Sequence, residues 1–108
     1  MSWTVETLNA KVDAELERLP ADMRARFVRI SELIESHGVL NVGEPYVKHL
    51  RGAIWEIRLK GRDGIARALY AAVHRERVVV LRVFVKKTEK IPPAEIAMAL
   101  DRLKEVCP

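Results

Sequence analysis

Residues 54–87 read IWEIRLKGRDGIARALYAAVHRERVVVLRVFVKK, and this stretch contains three predicted β-strands. In Ile54–Lys60 every second residue is Trp, Ile or Leu and the residues between are charged, which is typical of a half-buried antiparallel strand. The turn residues GRDG then lead into a second predicted strand, Ile65–His74. After a turn at Arg75 and Glu76, Arg77–Lys87 is too β-branched and too apolar for a surface helix. The stretch therefore predicts two successive hairpins with a central strand.

The turns also predict which residues face each other across the sheet. If the first hairpin closes with Lys60 opposite Ile65, Arg58 lies opposite Arg67. If the second hairpin pairs His74 with Arg77, the cross-strand neighbours are Arg67 and Phe84, Leu69 and Arg82, and Ile65 and Lys86.

These registers divide the side chains between two faces of the sheet. The predicted core face carries Trp55, Ile57, Leu59, Ala66, Ala68, Tyr70, Val79, Leu81, Val83 and Val85. The other face gathers Glu56, Arg58, Lys60, Arg67, Arg82 and Lys86 around Phe84. Because burying so many cations would cost much desolvation energy, we expect this second face to stay open to solvent. Like charges opposite each other suit an anionic ligand, and an aromatic ring among them suits base stacking.

Helices are predicted on both sides of these strands. Apolar residues recur at helical spacing from Val5 to Leu19, and Trp3–Val5 before them could form a short edge strand. A second helix is expected from Pro20 to Gly38 and a short third one over Ala94–Val106, after two prolines. Val39–Gly52 has neither period and is interpreted as a loop. We expect one α+β domain, residues 1–108: an N-terminal helical hairpin packed on a small, mainly antiparallel sheet, with a short C-terminal helix.

Composition narrows the functional classes. The 108 residues include 19 Lys and Arg against 15 Asp and Glu, so the net charge is +4 and a polyanion is a plausible partner. The one cysteine, Cys107, allows no internal disulfide, which fits a reducing cytoplasm. No segment is apolar enough for a membrane span or a signal peptide. Gly-rich phosphate loops, nucleophile elbows and zinc-ligand spacings do not occur in the sequence, so neither a metal nor a cofactor is expected.

Several segments together resemble a known family. They are LRGAIWEIR at 50–58, RALY at 67–70, VLRVFVKKT at 80–88 and PPAEI at 92–96. In this order and spacing they are similar to the phage-related HigB branch of the RelE/ParE toxin superfamily. The resemblance implies a RelE-like fold and the toxin half of a bacterial type II toxin–antitoxin pair. Such a toxin cleaves messenger RNA on the ribosome, without a metal and through the ribose 2′-OH, and is silenced by a small antitoxin.

The resemblance also implies roles for particular residues. Arg67 matches the strand arginine that contacts the scissile phosphate, and Arg58 matches a basic position on the preceding strand. Lys86 and Lys87 fall where related toxins place further catalytic or RNA-binding groups. Guanidinium groups stay charged and can bind two phosphate oxygens without a metal. The remaining candidates for RNA binding are Lys48, Arg51, Lys60, Arg82 and Phe84.

The general base is left open by the sequence. Glu56, His49 and a lysine with a depressed pKa are the alternatives. Some related toxins have a carboxylate just before this strand, whereas this chain has Leu50-Arg51-Gly52, a departure that leaves the acid and base unassigned.

The sequence supports two alternatives to a ribosome-dependent nuclease. One is a ParE-like inhibitor of DNA gyrase, which a neutral or apolar sheet face would favour over the cationic one. The other is a phage-derived domain that has lost toxicity and only binds a partner. For a toxin, the expected partners are an antitoxin of helix-turn-helix type, in a toxin–antitoxin assembly such as a heterotetramer, and messenger RNA with ribosomal RNA.

Overall fold

A five-stranded sheet lies between two helical layers in the computed structural model, which describes residues 3–43, 46–86 and 90–106. The strands are β1 (Thr4–Thr7), β2 (Val47–Arg51), β3 (Ile54–Gly61), β4 (Gly64–Val73) and β5 (Arg77–Lys86). The helices are α1 (Ala10–Glu17), α2 (Ala21–His37) and α3 (Pro93–Leu103), with a short 3-10 turn at Val39–Asn41. The strand order is β1-β5-β4-β3-β2. Among the strand pairs of the described residues, only β1–β5 is parallel, and the predicted α+β architecture is confirmed.

Local chemistry explains where the helices begin and end. The side chain of Asn9 accepts the backbone N–H of Val12 and so caps α1. Helix α2 begins after Pro20 and ends at Gly38, whose φ of 84° lies in the region that favours glycine. Pro93 is the first residue of α3, where the missing N–H of proline costs no hydrogen bond.

The first predicted helix was too long at its N-terminal end. Val5 lies in β1 and pairs with Val78, so α1 begins only at Ala10. The segment interpreted as a loop also contains β2, which pairs with β3. Strand β2 is at the edge of the sheet and alternates poorly between buried and exposed residues, which explains why its sequence showed no strand period.

The predicted register is confirmed over most of the two hairpins. Arg58 faces Arg67, and Arg67 faces Phe84. Between the Leu69–Arg82 and Tyr70–Val80 pairs, however, the register shifts by one residue. Leu81 is therefore an additional residue on β5, a β-bulge that reverses the facing of everything before it on that strand.

The bulge corrects the prediction of the core face. Val78 and Val80, rather than Val79 and Leu81, pack with α1 and α2 in the larger hydrophobic cluster. Val79 and Leu81 instead pack on the opposite side of the sheet, in a second cluster that includes Ala99 of α3. Val85, also predicted in the core, is 46% exposed. Alternation alone could not reveal a single inserted residue.

Candidate nucleic-acid interface

The sheet face that carries the predicted site residues is partly covered. Helix α3 packs on the part of this face that is formed by Ile54, Leu69 and Ala71, and these three residues are buried. The expectation that this whole face is open to solvent is therefore wrong. Because both sides of the sheet carry apolar residues, helices cover both faces. The charged residues of the second face are then either paired with other charges or located beside α3.

A cavity of about 350 Å³ opens beside α3 on this face. In the part of the chain that the structure describes, its lining combines four cations, one carboxylate and three apolar side chains: Lys48, Arg58, Arg67 and Lys90, Glu56, and Leu50, Ile91 and Ile96. Four of the predicted site residues thus meet in one place. The size falls within the range of about 300–1,000 Å³ that is usual for small-ligand pockets, and the excess of cations favours an anion.

The floor of the cavity contains a buried ion pair. Arg67 is only 2% exposed and Glu56 only 3%. Arg67 Nη1 donates to Glu56 Oε2 over 3.2 Å. A buried guanidinium needs such a counter-charge, because an uncompensated charge costs several kcal/mol. Glu56 and Arg67 are diagonal neighbours, since Glu56 faces Leu69 and Arg67 faces Arg58.

The other cations differ in their access to solvent. Arg58 is half-buried, while Lys48 and Lys90, which also line the cavity, are exposed. Lys60 of β3 and Lys86 of β5 both lie opposite Ile65 of β4, two residues along their strands from Arg58 and Phe84. Lys60 is exposed and Lys86 half-buried.

Arg82 forms ion pairs with residues of two helices, which the sequence pattern did not predict. Arg82 Nε lies 2.7 Å from Glu95 Oε1 of α3, and Arg82 Nη1 lies 2.8 Å from Glu15 Oε2 of α1. The hydrogen bond to Glu95 is the largest of the effects that raise the pKa of Arg82. Its guanidinium also lies 5.7 Å from the ring centroid of Phe84. Arg82 thus joins both helical layers to β5, and Phe84 packs against the cluster under α3.

His49 is separated from this cavity by the sheet. It faces Trp55 in the β2–β3 pair, and the two rings make an edge contact with centroids 4.8 Å apart. Trp55 packs on the cluster beneath α1 and α2, so His49 lies on that side. Its Nε2 is 2.8 Å from the carbonyl oxygen of Gly52. The structure therefore does not bring His49 together with Arg67.

The remaining predicted residues lie at the margins. Arg51 is exposed at the end of β2. Lys87 lies outside the described residues, as does Cys107. Sequence reasoning missed Lys90, Ile91, Ile96 and Leu50 as lining residues. The Pro92-Pro93 pair predicted where α3 starts, but only the packed position of α3 shows that the segment before it borders the cavity.

The described residues show neither a metal cluster nor a membrane-spanning helix. No group of three or more His, Cys, Asp or Glu side chains there is arranged to hold a metal ion. Within the same ranges, no helix has both the length and the apolar character that crossing a membrane requires.

The architecture is that of the RelE toxin fold. The structure of the E. coli toxin RelE, a mutant in the free state, superimposes with a TM-score of 0.67 over 95% of this chain and 99% of that chain, at 20% sequence identity. No curated protein matches the sequence. The family is nevertheless clear, because the family model "Phage derived protein Gp49-like (DUF891)" matches residues 14–104. The chain belongs to this phage-derived Gp49-like family.

Proposed function

We propose that this protein is the toxin of a type II toxin–antitoxin pair, of the HigB-like branch, and that it cleaves messenger RNA on the ribosome. In this reaction the ribose 2′-oxygen attacks the adjacent phosphorus while the bond to the 5′-oxygen breaks. The reaction needs a group to take the 2′-OH proton, cations to stabilise the phosphorane-like transition state, and an acid for the leaving oxygen.

The observation that carries this proposal is the cavity lined by Lys48, Arg58, Arg67 and Lys90. A neutral or apolar face would have favoured the gyrase inhibitor. In the proposed reaction Arg58 and Arg67 stabilise the negative charge on the phosphate, since guanidinium remains cationic at any physiological pH and donates in a fixed geometry. Because β3 and β4 are paired strands, these two arginines are held in register, which limits the reorganisation needed at the transition state.

We also propose partners and a location for this protein. A toxin with this activity requires an antitoxin, for which we propose the helix-turn-helix type, and a cytoplasmic location where translated messages are found. The exposed Lys48, Lys60 and Lys90 and the half-buried Lys86 surround the arginines and supply further contacts to RNA phosphates. Such contacts are sensitive to salt, because cations that neutralise phosphates release counterions.

The test is controlled expression in a bacterial host of wild type, Arg67→Ala, Arg58→Ala and Arg26→Ala, with growth curves and mapping of messenger RNA 5′ ends. Arg26 is the matched control, because it is exposed on α2, on the other side of the sheet. We expect growth arrest with cuts in translated messages for wild type and Arg26→Ala. Both effects should fall by about 10²-fold or more in the other two variants, as when an oxyanion-stabilising donor is removed.

Other outcomes point to other functions. Growth arrest with intact messages refutes the nuclease and favours a gyrase-type inhibitor. No effect of the wild type on growth or messages favours a partner-binding domain without toxicity. Thermal denaturation of each purified variant shows whether a lost effect reflects a lost fold, since Arg67 is buried whereas Arg58 is not fully so.

A further inference from the structure

Glu56 is the one carboxylate among the described residues that line the cavity, and its environment assigns it a role. We propose that Glu56 is a positioning residue, which holds the guanidinium of Arg67 toward an anion in the cavity, and that it does not accept the proton of the ribose 2′-OH. This inference deepens the proposed function and rests on it.

Burial is the first reason. A general base needs an oxygen within about 2.6–3.2 Å of the hydroxyl oxygen whose proton it removes, directly or through one water. Glu56 is 3% exposed, and its Oε2 is already 3.2 Å from Arg67 Nη1. Leu69, directly opposite on β4, is fully buried. Arg67 is equally buried, but its charge acts on a phosphate in the cavity over a distance, whereas a base must reach the hydroxyl group itself.

The charges of the neighbouring residues are the second reason. Arg67 is directly opposite Arg58, and two like charges in such a pair repel each other. Glu56, on the diagonal, supplies negative charge on the other side of Arg67. The arrangement suits a side chain that fixes the guanidinium of Arg67 by a hydrogen bond.

Glutamine at this position separates the two roles. Glu56→Gln keeps an oxygen that can accept a hydrogen bond from Arg67, but an amide cannot act as a base near neutral pH. Glu56→Ala removes both properties. Lys90, on the cavity margin, provides a comparison in which a lining charge is removed without touching the ion pair.

The experiment measures cleavage of a ribosome-bound message by wild type, Glu56→Gln, Glu56→Ala and Lys90→Ala, as a function of pH. We expect Glu56→Gln to keep activity within about tenfold of wild type, because a neutral acceptor is about half as strong as a charged one. Its pH profile should have the same shape. Glu56→Ala should lose about 10²-fold, as expected when a catalytic group is misplaced by about 1 Å.

Two results would overturn the inference. The first is a loss in Glu56→Gln as large as that in Glu56→Ala, because the acceptor oxygen that glutamine retains would then contribute nothing to activity. The second is a Glu56→Ala variant as active as wild type. Circular dichroism establishes which variants are folded, and if Glu56→Ala does not fold, the activity and pH profile of Glu56→Gln decide.

A wild type that cleaves no message refutes the proposed function instead. In that case the positioning role is decided by fluorescence anisotropy with a short single-stranded RNA as the probe. Weaker binding by Glu56→Ala but not by Glu56→Gln supports positioning, and equal binding by both variants and wild type refutes it.

Discussion

A substitution at Glu15 tests which contacts stabilise the edge of β5. Strand β1 pairs with β5 only as far as Val80, so beyond that residue the edge of β5 needs other partners. Glu15 Oε1 accepts the N–H of Val83 over 3.0 Å. Arg102 Nη1 donates to the carbonyl oxygen of Leu81 over 2.7 Å. One carboxylate from α1 and one guanidinium from α3 therefore satisfy a strand edge that β1 does not reach.

The expected loss of stability follows from the two arginines that would no longer face the carboxylate of Glu15 in Glu15→Gln. Glu15 is 7% exposed, and its Oε2 lies 2.8 Å from Arg82 Nη1 and 3.0 Å from Arg102 Nη2. Removing one partner of a buried ion pair costs about 3–5 kcal/mol. Because the two arginine side chains are 21% and 15% exposed, water can compensate in part, and we expect a loss at the lower end, about 3 kcal/mol. For a domain of this size that corresponds to a fall in Tm of about 15 °C.

The pH dependence has a definite sign. Burial of Glu15 acts to raise its pKa, but the hydrogen bonds from Arg102, Val83 and Arg82 outweigh burial, and the pKa falls below the ordinary value of 4.5. A carboxyl group whose pKa is lower in the folded state stabilises the fold fully above its unfolded pKa. This contribution is lost as the pH falls through the folded pKa. The stability gap between wild type and Glu15→Gln should therefore narrow below about pH 4.5.

Urea denaturation followed by circular dichroism, at pH 7 and at several lower pH values, measures this difference. Glu17→Gln is the matched control, since Glu17 is exposed on the same helix and should change stability by less than about 0.5 kcal/mol. A Glu15→Gln variant within about 1 kcal/mol of wild type at pH 7 would refute the reasoning. A gap that stays constant down to acid pH would refute the pKa argument by itself.

Two further predictions follow from the packing and from the charges. Gly61→Ala should cost about 1–3 kcal/mol in urea denaturation, because an added Cβ would lie 2.8 Å from both Asp22 Oδ2 and Met23 Cγ; unchanged stability would show that the first turn of α2 yields easily. Arg82→Ala should affect mainly the free energy of unfolding and, to a lesser extent, the affinity for RNA. Lys48→Ala should weaken the binding of a single-stranded RNA and change the free energy of unfolding by less than about 0.5 kcal/mol. Anisotropy titrations at two salt concentrations together with thermal melts measure both, and the reverse ranking of the two variants would contradict the structural assignment of Arg82.

Local patterns predicted much of the sheet. The alternation in β3 and the turn at Arg62 and Asp63 gave the correct pairing of Arg58 with Arg67, because a two-residue hairpin loop leaves little freedom of register. The same reasoning misplaced Val79 and Leu81. The bulge at Leu81 is a single inserted residue within a run of valines and leucine that reads as apolar on both faces, so the sequence carried no sign of it.

The candidate site was likewise predicted only in part. Strand period was enough to place Glu56, Arg58 and Arg67 on one face. It could not show that Glu56 and Arg67 are buried as an ion pair, nor that Arg82 binds Glu15 and Glu95. These contacts join residues up to 67 positions apart in the chain, and their burial depends on where α1 and α3 pack.

The sequence by itself therefore determined the order of most elements, the strand pairing near the turns and the cationic character of one sheet face, since these follow from periodicity, turn chemistry and composition over short ranges. The tertiary structure decided which cations are accessible, which are paired, and that Lys90 and Ile96 complete a cavity around Arg67. The physical reason is that burial and charge pairing are set by the packing of distant segments, and each residue's own neighbourhood in the chain carries no record of that packing.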